Sequence, residues 1–182
     1  YGWAIAWRGQ AYRALKRYDE ALADFNRAIE LDPNVDWIIA QRGWTYRELR
    51  RYDEAQADFA RAVELDPEDA WFHCACGVIA RLLNRSDEYD HWNRAMEILS
   101  RGISAGGDGE AEARGNLLVL HFVMQEWDKA AAQLARFLGC GPADSRIREV
   151  LDDLEELEEM GMGAVQMQSA RHEMERALSR GI

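Results

Sequence analysis

At 182 residues, 48% of them apolar, the chain can bury a core, and its formal net charge of −11 disfavours a general nucleic-acid or anionic-membrane surface. No apolar run approaches the roughly 20 residues of a membrane span, and no secretory signal is visible. The three cysteines, Cys74, Cys76 and Cys140, are odd in number and lack a framework spacing, so they read as packed residues or free thiols in a cytoplasmic protein.

The first element is a tandem unit. Residues 2–35 and 36–69 align without gaps at a shift of 34, with 22 identical positions. Tyr18-Asp-Glu-Ala21 returns as Tyr52-Asp-Glu-Ala55, and Glu30-Leu-Asp-Pro33 as Glu64-Leu-Asp-Pro67. Each unit reads as two helices. In the first unit Ile5, Gly9 and Tyr12 fall near helical spacing; after a break at Lys16-Arg17 the pattern resumes with Ala21, Phe25 and Ala28. Asp32-Pro33 ends the second helix, because proline disfavours helical geometry in the residue before it. Helices this short are marginal alone, so the units must stack on one another.

The spacing Ile5-x2-Arg8-Gly9-x2-Tyr12, Ala21-x3-Phe25, Pro33 recurs as Ile39-x2-Arg42-Gly43-x2-Tyr46, Ala55-x3-Phe59, Pro67. It resembles the tetratricopeptide repeat, Trp-x2-Leu-Gly-x2-Tyr, Ala-x3-Phe, Pro at period 34. Two departures recur: Ile stands for Trp and Arg for Leu. The resemblance implies an all-α fold, antiparallel helix pairs stacked into a right-handed α-α superhelix, with C-terminal capping helices.

A third unit, 70–103, is degraded. Gly77 lies 34 after Gly43, Arg85-Ser-Asp-Glu88 echoes Arg17-Tyr-Asp-Glu20, and Asn93-Arg-Ala-Met-Glu97 echoes Asn26-Arg-Ala-Ile-Glu30. One residue is lost between these blocks, which puts Trp92 in the place of Phe25, and the terminal proline is missing. The helix then runs to about Ile103, a loop follows at 104–109, and Asp108 reads as a helix N-cap. A fourth unit, 110–142, keeps the internal distances Trp127, Ala130, Leu134, Phe137 and Pro142 after a first helix over 110–124. Residues 143–182 read as capping helices. Ile147, Val150, Leu151, Leu154 and Leu157 form one apolar stripe, while acids from Asp152 to Glu159 cover the rest. Gly161-Met-Gly163 breaks this helix. Another follows over 164–180 with Met167, Ala170, Met174, Ala177 and Leu178 on one side; where it docks is not legible.

No catalytic, metal or phosphate-binding motif is present: the histidines His73, His91, His121 and His172 lack metalloprotease spacing, and the acidic run reads as a solvated face. No cofactor, metal or enzymatic activity is expected. The informative constellation is periodic. Trp3, Trp37 and Trp71 are spaced by 34, as are Arg13, Arg47 and Arg81. Ten residues are close to three helical turns, so both rows share one side of the first helices. The resemblance implies that this side lines a concave groove. There Ala6 and Gln10, Ala40 and Trp44, and Cys74 and Val78 lie between the rows, with Trp7 and Gln41 on the flank. The groove then suits a peptide or protein segment with apolar and acidic groups. Inter-unit packing alone would copy the same rows. The Lys/Asn clamp by which some family members hold acidic chaperone tails is absent, since the corresponding places carry Ala6, Gln10, Gln41, Trp71 and Ala75.

Two functions follow as expectations. One is a protein-interaction module, a piece of a larger multidomain protein, that binds a partner segment in the groove. The other is a structural spacer or self-assembling array, such as the sensor region of a signalling ATPase, which associates through its repeat ends.

Overall fold

The computed structural model describes residues 1–105, 109–159 and 165–180. Among these residues the secondary structure is helical, with no strand. The expected N-cap Asp108 and the break at 161–163 lie outside the described residues. The chain divides into two compact units, Tyr1–Ala95 and Met96–Ile182.

The first unit holds α1 (Gly2–Ala14), α2 (Tyr18–Leu31), α3 (Asp36–Glu48), α4 (Tyr52–Leu65), α5 (Ala70–Leu82) and the start of α6 (Glu88–Ala105). Helices α1 and α2 form one hairpin and α3 and α4 the next, with α2 packed on α3 and α4 on α5. The hairpins close tightly because glycine faces an aromatic ring. A Cβ on Gly9 would lie 3.0 Å from the Phe25 ring, and one on Gly43 3.1 Å from Phe59. Trp92 occupies the same place against Gly77 and is fully buried, as the shifted alignment of the third unit anticipates. Around each ring sit small residues: Ala6, Ala21 and Ala28 in the first hairpin, Ala40, Ala55 and Ala62 in the second. Their lack of bulk lets the helices approach within ring-contact distance.

Each hairpin turn holds one non-glycine residue in the left-handed region: Lys16 (φ 58°), Arg50 (φ 59°) and Asn84 (φ 54°). Around Lys16 the bonds Lys16 N–H to Arg13 O (2.8 Å) and Arg17 N–H to Tyr12 O (2.9 Å) make a Schellman closure, which satisfies the carbonyls at the end of α1. Arg50 and Asn84 repeat these bonds.

The second unit carries the rest of α6, then α7 (Glu110–Val123), α8 (Trp127–Gly139), α9 (Asp144–Leu157) and α10 (Val165–Arg180). Gln125, between α7 and α8, takes φ 60° and closes its turn in the same way, so this hairpin shares the turn geometry of the first three. Helix α9 packs on α7 through buried Ile147, Val150 and Leu154, and its exposed side carries Asp152 and Glu155. Helix α10 docks on α9 and α8, burying Met167, Ala170, Met174 and Ala177. Arg171 of α10 reaches Glu158 at 2.6 Å. Burial raises the Asp153 carboxyl to about 6, opposed by Arg146.

Candidate functional site

The expected groove side belongs to α1, α3 and α5 in the first unit. Four tryptophans there form two pairs across neighbouring repeats. Trp7 of α1 lies against Trp37 of α3, with ring centroids 5.6 Å apart and planes tilted by 39°. Trp44 of α3 lies against Trp71 of α5 at 5.9 Å and 40°. Trp7 and Trp71 remain open to solvent, 57% and 39% exposed, while Trp37 and Trp44 are half-buried. Phe59 meets Trp44 edge-on at 4.8 Å and holds it in place. Trp3, 66% exposed, extends the aromatic surface along α1.

The arginine row serves three different intramolecular contacts. Arg13 donates to Glu48 across the first two repeats at 2.9 Å. Glu48 also accepts from the Tyr18 hydroxyl, which raises the pKa of that phenol. Arg47 stacks over Trp44, 4.6 Å from the ring centre, and burial lowers its pKa from the usual arginine value. Arg81 lies 5.4 Å from the ring centre of the buried Trp92. Of the remaining expected contact residues, Ala6 and Val78 are buried and form the floor. Gln10, Gln41 and Cys74 are half-buried.

The arginines at the family's leucine position have a structural purpose that the sequence reading missed. Arg8 donates both Nε and Nη2 to Asp24, each at 2.7 Å. Arg42 does the same with Asp58 at 2.8 and 2.7 Å, and its Nη1 reaches Asn26 of the preceding unit at 2.8 Å. Asp24 and Asp58 are buried, and the fork of each guanidinium satisfies both carboxylate oxygens. The shared separation of 16 residues in both units was the available signal. In the third unit the matching places hold Cys76 and His91. Burial pushes the Cys76 thiol up to about 12, so this thiol is protonated and inert as a nucleophile.

Family models for the tetratricopeptide repeat match residues 3–35 and 38–69. The chain carries tetratricopeptide repeats. No curated protein matches it. Solved structures of the same fold include the second tetratricopeptide domain of Spaghetti (RPAP3), bound to the HSP90 peptide SRMEEVD. It is 20% identical, covers 53% of this chain and 91% of its own, and has a TM-score of 0.51. A mutant of MamA is 23% identical over 53% of this chain and 72% of its own, with a TM-score of 0.50. At these identities both structures speak to the fold. Among the described residues, no group of three or more His, Cys, Asp or Glu side chains could hold a metal ion, and no helix is long and apolar enough to cross a membrane.

Proposed function

We propose that the first unit binds a peptide or extended partner segment on the side of α1, α3 and α5, as a protein–protein interaction module. The observation that carries this reading is the pair of cross-unit tryptophan contacts. Large indoles left partly exposed on adjoining helices are the residue type most enriched in binding hot spots. A solved neighbour of the same fold holds a peptide, which supports the class of partner. The acidic-tail clamp is missing here. An acidic ligand at this face would have to compete with Glu48 for Arg13.

The test is a display selection of random peptides on the full chain, followed by titration of the selected peptides against a Trp37→Ala, Arg47→Ala double variant. A variant that melts like the parent and binds the peptides equally well removes the assignment.

A second reading is self-association of the repeat array through its ends. Light scattering over a concentration series tests it, and a strict monomer at the highest concentration removes it.

A further inference from the structure

We propose that the third hairpin, α5 with the start of α6, is an acid-sensitive joint: it stays closed while His73 and His91 are neutral and loosens when they take up protons.

The three hairpins differ at one pair of equivalent places. The first two are bridged by arginine–aspartate forks, Arg8 with Asp24 and Arg42 with Asp58. The third holds Cys76 and His91 there. A guanidinium and its carboxylate are thus replaced by a thiol and an imidazole. Imidazole is the side chain whose charge ordinarily changes between about pH 5 and 8.

His91 of α6 lies against His73 of α5, with ring centroids 6.1 Å apart. His73 is buried, and its Nε2 donates to the carbonyl oxygen of Pro67 at 3.1 Å. A carbonyl only accepts, so Nε2 carries the proton and Nδ1 holds a lone pair. That Nδ1 is buried and has no hydrogen-bond partner among the described residues. A proton added there would make a buried N–H without an acceptor, on a ring that already faces a second imidazole.

Burial is the largest influence on His91 and lowers its pKa. Asp87 and Asp90, at the start of α6, favour its proton; His73 of α5 and Arg85 of the turn oppose it. Asp87 accepts from Arg85 through Oδ2 at 3.4 Å, and its Oδ1 is buried without a partner among the described residues. Burial keeps the Cys76 thiol of α5 protonated, so it brings no counter-charge. A histidine whose folded pKa lies below its unfolded value near 6.5 contributes stability that is present above that value. The contribution is lost as pH falls through the lower, folded value. Trp92, the next residue after His91, packs on Gly77, so the same opening frees the ring that closes the hairpin.

The test is amide hydrogen exchange of the full chain, read by mass spectrometry between about pH 7.5 and about pH 5.5. Protection is corrected for intrinsic exchange, and the second hairpin, α3 with α4, is the reference within the same molecule. The protection of residues 70–95 relative to 36–69 should fall about fivefold or more across this range, the effect of one buried donor left without an acceptor. In the parent protein the imidazole resonances of His91 should titrate along with the loss. His91→Gln, uncharged at every pH, should flatten the relative protection. Cys76→Arg with His91→Asp installs the fork of the first two hairpins and should flatten it as well, so the outcome does not hang on one variant folding. A constant ratio in the parent overturns the proposal. So does a ratio that rises on acidification, as an Asp87–imidazolium pair that tightened the joint would produce. A fall that persists in either folded variant places the acid sensitivity elsewhere and overturns it too.

Discussion

Gly77→Ala is the sharpest test of how the third hairpin is built. A Cβ at position 77 would overlap Nε1 and Cδ1 of Trp92 and sit 2.8 Å from its Cε2. Trp92 is fully buried, so it cannot swing into solvent to make room. Forcing a methyl into such a site costs about 1–3 kcal/mol, and the overlap places it near the upper end. Alanine's better helix propensity returns about 1 kcal/mol. The expected net loss is about 2 kcal/mol. With a urea slope of roughly 2 kcal/mol per molar, the midpoint falls by about 1 M. Six of the seven tryptophans lie within Tyr1–Ala95, so fluorescence-monitored urea unfolding reports chiefly on this unit. Gly43→Ala is the internal control. Its new carbon would lie 3.1 Å from the Phe59 ring, and the overpacking cost there is nearly balanced by propensity. Adding Trp92→Phe to Gly77→Ala recreates the ring size of the first two hairpins and should recover part of the loss. If Gly77→Ala is as stable as Gly43→Ala, or if Trp92→Phe brings no recovery, the close approach described here is wrong.

Other perturbations address the ion pairs, the turns and the cap. Arg42→Leu restores the family's residue but strands the buried Asp58, and should cost about 3 kcal/mol. Adding Asp58→Ala should return most of it, as double-variant unfolding would show. Arg50→Gly relieves a left-handed backbone in an exposed turn and should stabilise the first unit by about 1 kcal/mol, read from the urea midpoint. Asp153, raised to about 6, holds its proton more tightly when folded than when unfolded. Its contribution is therefore fully present below the ordinary aspartate value and lost as pH rises through about 6. Asp153→Asn should raise the pH 7 melting temperature by a few degrees and flatten its pH dependence between 4 and 7. A melting temperature at pH 7 equal to the parent's would show that the carboxyl is not buried as described.

Much of the fold was legible because repetition is its own control. Gly9, Gly43 and Gly77 recur at one spacing with an aromatic residue 15 or 16 positions on, and only a close crossing of two helices asks for that pair. The helix ends at Asp32-Pro33 and Asp66-Pro67 were equally plain, since proline acts through local sterics. The left-handed turn residues were not legible. Lys16, Arg50, Asn84 and Gln125 share no side-chain chemistry, because the turn is imposed by the two helices it joins. The candidate site was legible in its residue types and not in its pairing. Trp7 and Trp44 stand where the other repeat carries Gln41 and Gln10, so the period of 34 hides them, and they are the partners that Trp37 and Trp71 meet.

The amino-acid sequence alone determined that this chain folds as stacked helical hairpins, because that feature depends on short-range backbone sterics and on apolar spacing within a single repeat. Only the tertiary structure decided which indoles touch, which cation each repeated position engages, and where α10 docks. Those outcomes depend on side chains from different helices meeting at ångström distances, and a one-dimensional period carries no record of the gap between neighbours.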